Sequence, residues 1–122
     1  QVQVRRRTVE DTLELVRREA STIPTEQVYF ALKKMRIKWI YTQTVETMRF
    51  CLAVHRLGLR VTSPLMAALR GNSESSVMET LHMLGDKKCL TLLRGSKKDR
   101  LQWIVSPIFL DHYDGGQGDY ES

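Results

Sequence analysis

Residues 63–84 read SPLMAALRGNSESSVMETLHML, and the fold turns on how this stretch divides. Ser63-Pro64 offers a side-chain acceptor at a helix N-cap and a ring whose preset φ suits the first helical position. Leu65, Met66, Ala67, Ala68 and Leu69 then make a short apolar helix that Arg70-Gly71-Asn72 ends. Ser73 reads as the next cap, with Glu74 in the first turn near the positive end of the helix dipole. Val77, Leu81 and Leu84 recur at i, i+4 and i+7, so this second helix buries one face and leaves the other free.

The flanks extend the pattern. Leu59-Arg60-Val61-Thr62 is short and β-rich and follows Gly58. After Gly85-Asp86 weakens the helix, Cys89–Arg94 is strand-like and Gly95-Ser96-Lys97-Lys98-Asp99 is a polar turn. Leu101, Trp103 and Val105 then alternate in a second strand-like run, which together is a β-hairpin signal.

From Leu57 to Pro107, about fifty residues, the chain resembles a winged helix-turn-helix, and its spacing is similar to that of MarR-type bacterial regulators. The resemblance implies that the second helix enters a DNA major groove while its flanks and the wing touch backbone. Ser73, Ser75 and Ser76 would offer hydroxyl and N–H donors to a phosphate, and Glu79 and His82 would face the groove, where a glutamate accepts from a cytosine amino group. Lys97, Lys98 and Arg100 on the wing would contact phosphate or a minor groove, with Arg70, Lys87 and Lys88 extending the basic belt. Two features depart from the family: Lys88 stands where a glycine usually precedes the first wing strand, and the outward helix face carries Ser75, Ser76, Glu79 and His82 where an Arg or Lys is usual.

Charge points the same way. The chain has 122 residues and a formal net charge of +5, with a sequence pI near 9.5. Residues 111–122 hold four acids and no base, so residues 1–110 carry nineteen bases against ten acids, a formal +9. Such a body favours a polyanion, nucleic acid first, although a well-solvated surface gives the same composition. Glu74 and Glu79 argue the other way, placing negative charge on the helix that should approach DNA, and winged helices also serve as protein-docking modules.

Earlier in the chain, Arg5-Arg6-Arg7 ends a polar lead-in that could be a phosphate-seeking arm or merely solvated. Thr8 starts a helix from about Val9 to Ala20 with Val9, Leu13, Val16 and Ala20 on one face. Thr25 caps a second helix striped by Val28, Leu32 and Met35 and widened by Tyr29, and Ile37–Tyr41 fits either its continuation or an extended piece. A third helix runs from about Thr44 to Leu57, with Val45, Met48, Leu52 and His55 on one face and Gly58 as the stop. The first two helices bury their stripes either on their own domain or on a second copy of the chain.

Chemistry-bearing motifs are sparse. Cys51, His55, His82 and Cys89 match no standard zinc spacing and read as core residues, so no metal or other cofactor is expected. There is no phosphate loop, nucleophile elbow or zincin pair, which argues against an enzyme. No apolar run spans a bilayer and no signal-peptide pattern opens the chain.

The expectation is a mainly α (α+β) protein: a basic flexible arm at 1–7, an N-terminal helical extension at 8–41, a winged helix domain with a C-terminal hairpin wing at 42–110, and an acidic mobile tail at 111–122. It would bind double-stranded DNA as a homodimer, in the cytoplasm at the nucleoid or in a nucleus, serving transcription, partition or replication. The alternative is a protein-docking module in a larger nucleic-acid-processing assembly, and a third reading is RNA binding, which the aromatic content of 7% neither supports nor excludes. The acidic tail would compete with phosphates for the basic surface or only add solubility.

Overall fold

The computed structural model describes residues 8–93 and 101–113. Among them the chain is mainly helical, with six helices and one two-stranded antiparallel sheet. In order these are α1 Val9–Ala20, α2 Thr25–Lys34, α3 Thr42–Arg56, α4 Ser63–Arg70, α5 Glu74–Asp86, β1 Leu90–Leu92, β2 Trp103–Val105 and α6 at 107–113. The residues expected to form a basic arm (1–7), a wing tip with Lys97, Lys98 and Arg100 (94–100) and the remainder of the acidic tail (114–122) lie outside the described residues.

Helix α3 is the hub. Nine of its fifteen residues are buried, on more than one face, because α1, α2, α4 and β2 all pack against it. His55 stays exposed, so the stripe expected through it stops at Leu52: Cys51, Ala53 and Val54 fill the interior in its place. Helix α1 buries Val16 and Ala20 but leaves Val9 in solvent, since its first turn extends past the surface that covers the later residues. Arg49 of α3 donates a hydrogen bond to the Ala20 carbonyl and pairs with Glu46 at 2.8 Å, fixing the end of α1 to the hub. Val16 and Ala20 of the first stripe and Val28 and Leu32 of the second are covered within the chain, whereas Val9 and Tyr29 stay exposed.

Capping explains most boundaries. The Thr8 hydroxyl accepts from the Asp11 N–H at 3.0 Å, and the Ser73 hydroxyl accepts from the Ser76 N–H at 3.2 Å, as the sequence pattern anticipates. Thr25 is not a cap; Pro24 occupies that position without a side-chain hydrogen bond and Thr25 is the first helical residue. The α4 cap is Thr62, not Ser63: Thr62 Oγ1 accepts from the Leu65 N–H at 3.3 Å, while the Ser63 hydroxyl donates to Glu74 Oε1 at 3.3 Å. Residues 35–41 are irregular, which settles Ile37–Tyr41 as a connection with Ile37 buried in the core.

The hairpin pairs Leu90 with Val105, Thr91 with Ile104 and Leu92 with Trp103. Trp103 is also bridged from its other side by Val61, with Trp103 N–H donating to the Val61 carbonyl at 2.8 Å and Val61 N–H returning a bond at 3.0 Å. A third extended segment between α3 and α4 is therefore stitched to the sheet. One helix escapes the sequence reading: α6, whose cap is Ser106. The Ser106 hydroxyl accepts from the Phe109 N–H at 3.1 Å and donates to the Lys88 carbonyl, and its N–H donates to the Cys89 carbonyl at 3.0 Å. Phe109 and Tyr113 are buried with stacked rings, so residues 111–113 belong to the folded body and not to an acidic tail.

Lys88 occupies the position that follows the α5 cap, with φ +70°. Cys89 N–H closes the helix end onto the Leu84 carbonyl at 2.9 Å, the six-to-one bond of a left-handed helix stop. A side chain at such a φ is strained, which is the physical content of the missing glycine. Lys88→Gly is expected to raise stability by roughly 0.5–1 kcal/mol, measured as a higher urea midpoint with an unchanged slope.

Candidate nucleic-acid interface

The surface built by α4, α5 and the hairpin is set by α5. Val77, Leu81 and Leu84 point into the core, which leaves Ser75, Glu79, His82 and Asp86 outward. Met78 and Met83, half-buried, join them around an open groove of about 690 Å³ that reaches Lys87. His82 does not stand free over this groove: its ring lies edge-on to the Trp103 indole, centroids 5.5 Å apart at 81°. That contact ties the outward face of α5 to β2 and fixes the imidazole direction.

The sequence-derived residues divide between the two ends of α5. Ser73, Ser75 and Ser76 lie exposed at its N-terminus, and Arg70 ends α4 just before the turn. Ser73 Oγ is engaged by the Ser76 N–H and lies 3.3 Å from Ser75 Oγ, so the first turn carries a small hydroxyl cluster. The Nε of Arg70 is buried without a hydrogen-bond partner. Lys87 and Lys88 sit at the far end, roughly 18 Å along the axis from Ser75 at 1.5 Å per residue. They extend the belt in the long direction rather than flanking the N-terminus.

Glu74, the first objection to a polyanion, stays exposed but has a partner within the fold. Its carboxylate accepts from the Ser63 hydroxyl at the start of α4, so it lies at the N-terminal ends of two helices at once. Glu79 and Asp86 have no ion pair among the described residues and keep the middle of the α5 face acidic. A second surface was missed in the sequence: exposed Tyr29, Phe30, Trp39 and Tyr41 interleave with Lys33, Lys34, Arg36 and Lys38. Aromatic and basic residues alternating over a short stretch was the signal available.

Cys51 and Cys89 are both free and buried, while His55 and His82 are exposed, so these four residues are not assembled into one site. Burial pushes the Cys89 thiol up from an ordinary 9 to about 12. Burial, and secondarily the neighbouring Cys89, pushes Cys51 up as well. Among the described residues no three His, Cys, Asp or Glu side chains come together to hold a metal ion, and no helix is long and apolar enough to cross a membrane. Comparison with protein-family models, curated proteins and solved structures finds no match.

Two outcomes follow from this geometry. Glu74→Ala should lower stability by about 0.5–1.5 kcal/mol through loss of the hydroxyl bond and the dipole interaction, read by thermal unfolding. Both thiols stay protonated in the folded chain when the unfolded chain begins to ionise, so their stabilisation is complete below the ordinary thiol range and is lost as pH rises. Urea unfolding should show stability falling by about 1.4 kcal/mol per pH unit per thiol above pH ~9, and a Cys51→Ala, Cys89→Ala chain should lose that slope.

Proposed function

We propose that the chain is a winged helix-turn-helix protein that binds double-stranded DNA without catalysing a reaction, presenting α5 to the major groove and the segment between β1 and β2 to the backbone. The observation that carries this reading is the order α3, bridged Val61, α4, α5, β1, β2, with the α4–α5 turn closed by Gly71 at φ +70° and the outward face of α5 uncovered among the described residues. Ser75 and Ser76 at the α5 N-terminus suit a phosphate. Glu79 and His82 suit base edges, contributing selectivity more than affinity. Lys97, Lys98 and Arg100 of the wing, with Arg70, Lys87 and Lys88, contribute the salt-dependent attraction.

Pairing of two copies belongs to the proposal. An apolar surface available for it is the shallow groove of Val9, Leu13, Leu65 and Ala68 between α1 and α4. Occupancy of a site then regulates transcription, partition or replication, in a nucleoid or a nucleus.

A second reading has its own observation. Met78 and Met83 beside Glu79 and Asp86 form an adaptable apolar and acidic face, the composition of a protein-docking groove. Fluorescence anisotropy on a labelled random-sequence duplex separates the two. DNA binding through several phosphates should weaken steeply with salt, with a log–log slope of about −0.9 per phosphate contacted. Replacing Lys97 and Lys98 by Ala should lower affinity and flatten that slope by about 2. Absence of binding, or binding indifferent to salt and to both lysines, would move the function to the docking face.

A further inference from the structure

Core helices normally turn their large rings inward, and this chain does so with Trp103, Phe109 and Tyr113. Tyr29, Phe30, Trp39 and Tyr41 do the reverse, at 37%, 50%, 69% and 66% exposure, and they are the exposed aromatic side chains among the described residues. The packing of α2 does not need them, since Val28, Ala31 and Leu32 already supply its buried stripe. Arg36, at φ +65°, ends α2 and begins the connection that brings Ile40 and Tyr41 back beside Tyr29 and Phe30. Together with Val45 these side chains line a groove of about 590 Å³. Tyr29 and Phe30 meet edge-on with centroids 5.6 Å apart, so their rings present different planes to it.

Lys33, Lys34, Arg36 and Lys38 lie in the same stretch, are all exposed, and form no ion pair among the described residues. The acid bordering the groove is Glu26. A two-fold interface between copies would set this patch against itself, with four cations facing four. A bilayer surface is flat and suits a protruding apolar face, whereas three of these rings, Tyr29, Phe30 and Tyr41, line a concavity. What suits it is a flexible strand that carries flat rings and a negative charge at each repeat. A duplex keeps its bases stacked on one another and cannot offer them here, so this surface is independent of the duplex reading of α5.

We propose that the exposed aromatic and basic surface of α2 and the α2–α3 connection binds single-stranded nucleic acid, with bases stacked on Phe30 and Tyr41 in the groove and on Trp39 of the connection, and phosphates held by the exposed Lys33, Lys34, Arg36 and Lys38 of the same stretch. Stacking gives affinity without sequence preference, because every base has a π-face, and the cations make the binding salt-dependent.

The chain carries its own reporter. Of its two tryptophans, Trp39 is exposed and Trp103 is buried, so quenching of the solvent-exposed emission on titration reads Trp39. The full chain is titrated with oligo-dT and oligo-rU of about 12 nucleotides, a length within the usual site sizes, with anisotropy of the labelled strand followed in parallel. Saturable, salt-sensitive binding with tryptophan quenching is expected. Trp39→Ala combined with Tyr41→Ala should weaken it roughly 30-fold or more, with an unchanged circular dichroism spectrum and unchanged duplex binding. A preference for dT or rU identifies DNA or RNA as the strand, and equal binding means that rings and phosphates suffice. Absence of binding, binding without quenching, or binding undiminished in the double variant overturns the proposal. So does uptake onto anionic phospholipid vesicles in preference to the oligonucleotides, or self-association that the double variant abolishes. Duplex binding without strand binding would defeat this proposal and leave α5 as the DNA surface; strand binding without duplex binding would do the opposite.

Discussion

The Trp103 indole holds three parts of the fold in register. Its backbone pairs with Leu92 on one side and Val61 on the other, so the hairpin and the α3–α4 connection meet at one residue. Its side chain is 1% exposed and lies under the last turns of α5. There Gly85 is close enough that a Cβ would lie 3.7 Å from Nε1, and His82 contacts the ring edge. The direction in which α5 faces solvent is therefore set by a strand residue far from it in sequence. Burial of a side chain this large is among the costliest to undo, about 3–5 kcal/mol on truncation to alanine.

Local signals were legible where a residue answers to its neighbours in sequence. The i, i+4, i+7 spacing of Val77, Leu81 and Leu84 identified the buried face of α5, and Thr8 and Ser73 cap as short-range chemistry dictates. Errors arose where a distant partner decides. Ser63 yields the cap to Thr62 because Glu74, eleven residues on, takes its hydroxyl. His55 sits in register with a stripe, yet α3 is surrounded on several sides and the polar residue is the one left out. The Ser106-Pro107 pair repeats the signal read at Ser63-Pro64, but the helix after it is short and is held by Phe109 and Tyr113 against a core the sequence does not display.

Of the candidate site, the residues were legible and their roles only partly so. Glu74 looked like an obstacle to a polyanion and is a link between helix starts; Lys88 looked like a member of a basic belt and is also a strained helix stop. The net charge hides a division of labour among surfaces. The middle of α5 is acidic and methionine-rich, while aromatic and basic side chains collect around α2 on a surface that a reading centred on residues 57–107 passes over. Under the two separate proposals the first surface would contribute selection on a duplex and the second a hold on unpaired strands.

The most direct test of the central claim is a residue-resolved amide chemical-shift map of the full chain titrated with duplex DNA. The account predicts that the largest perturbations fall on Ser73, Ser75, Ser76, Glu79 and His82 and on residues 94–100, with the buried residues of α3 unmoved. Perturbations absent from α5 while appearing elsewhere, or no perturbation at all, would contradict it.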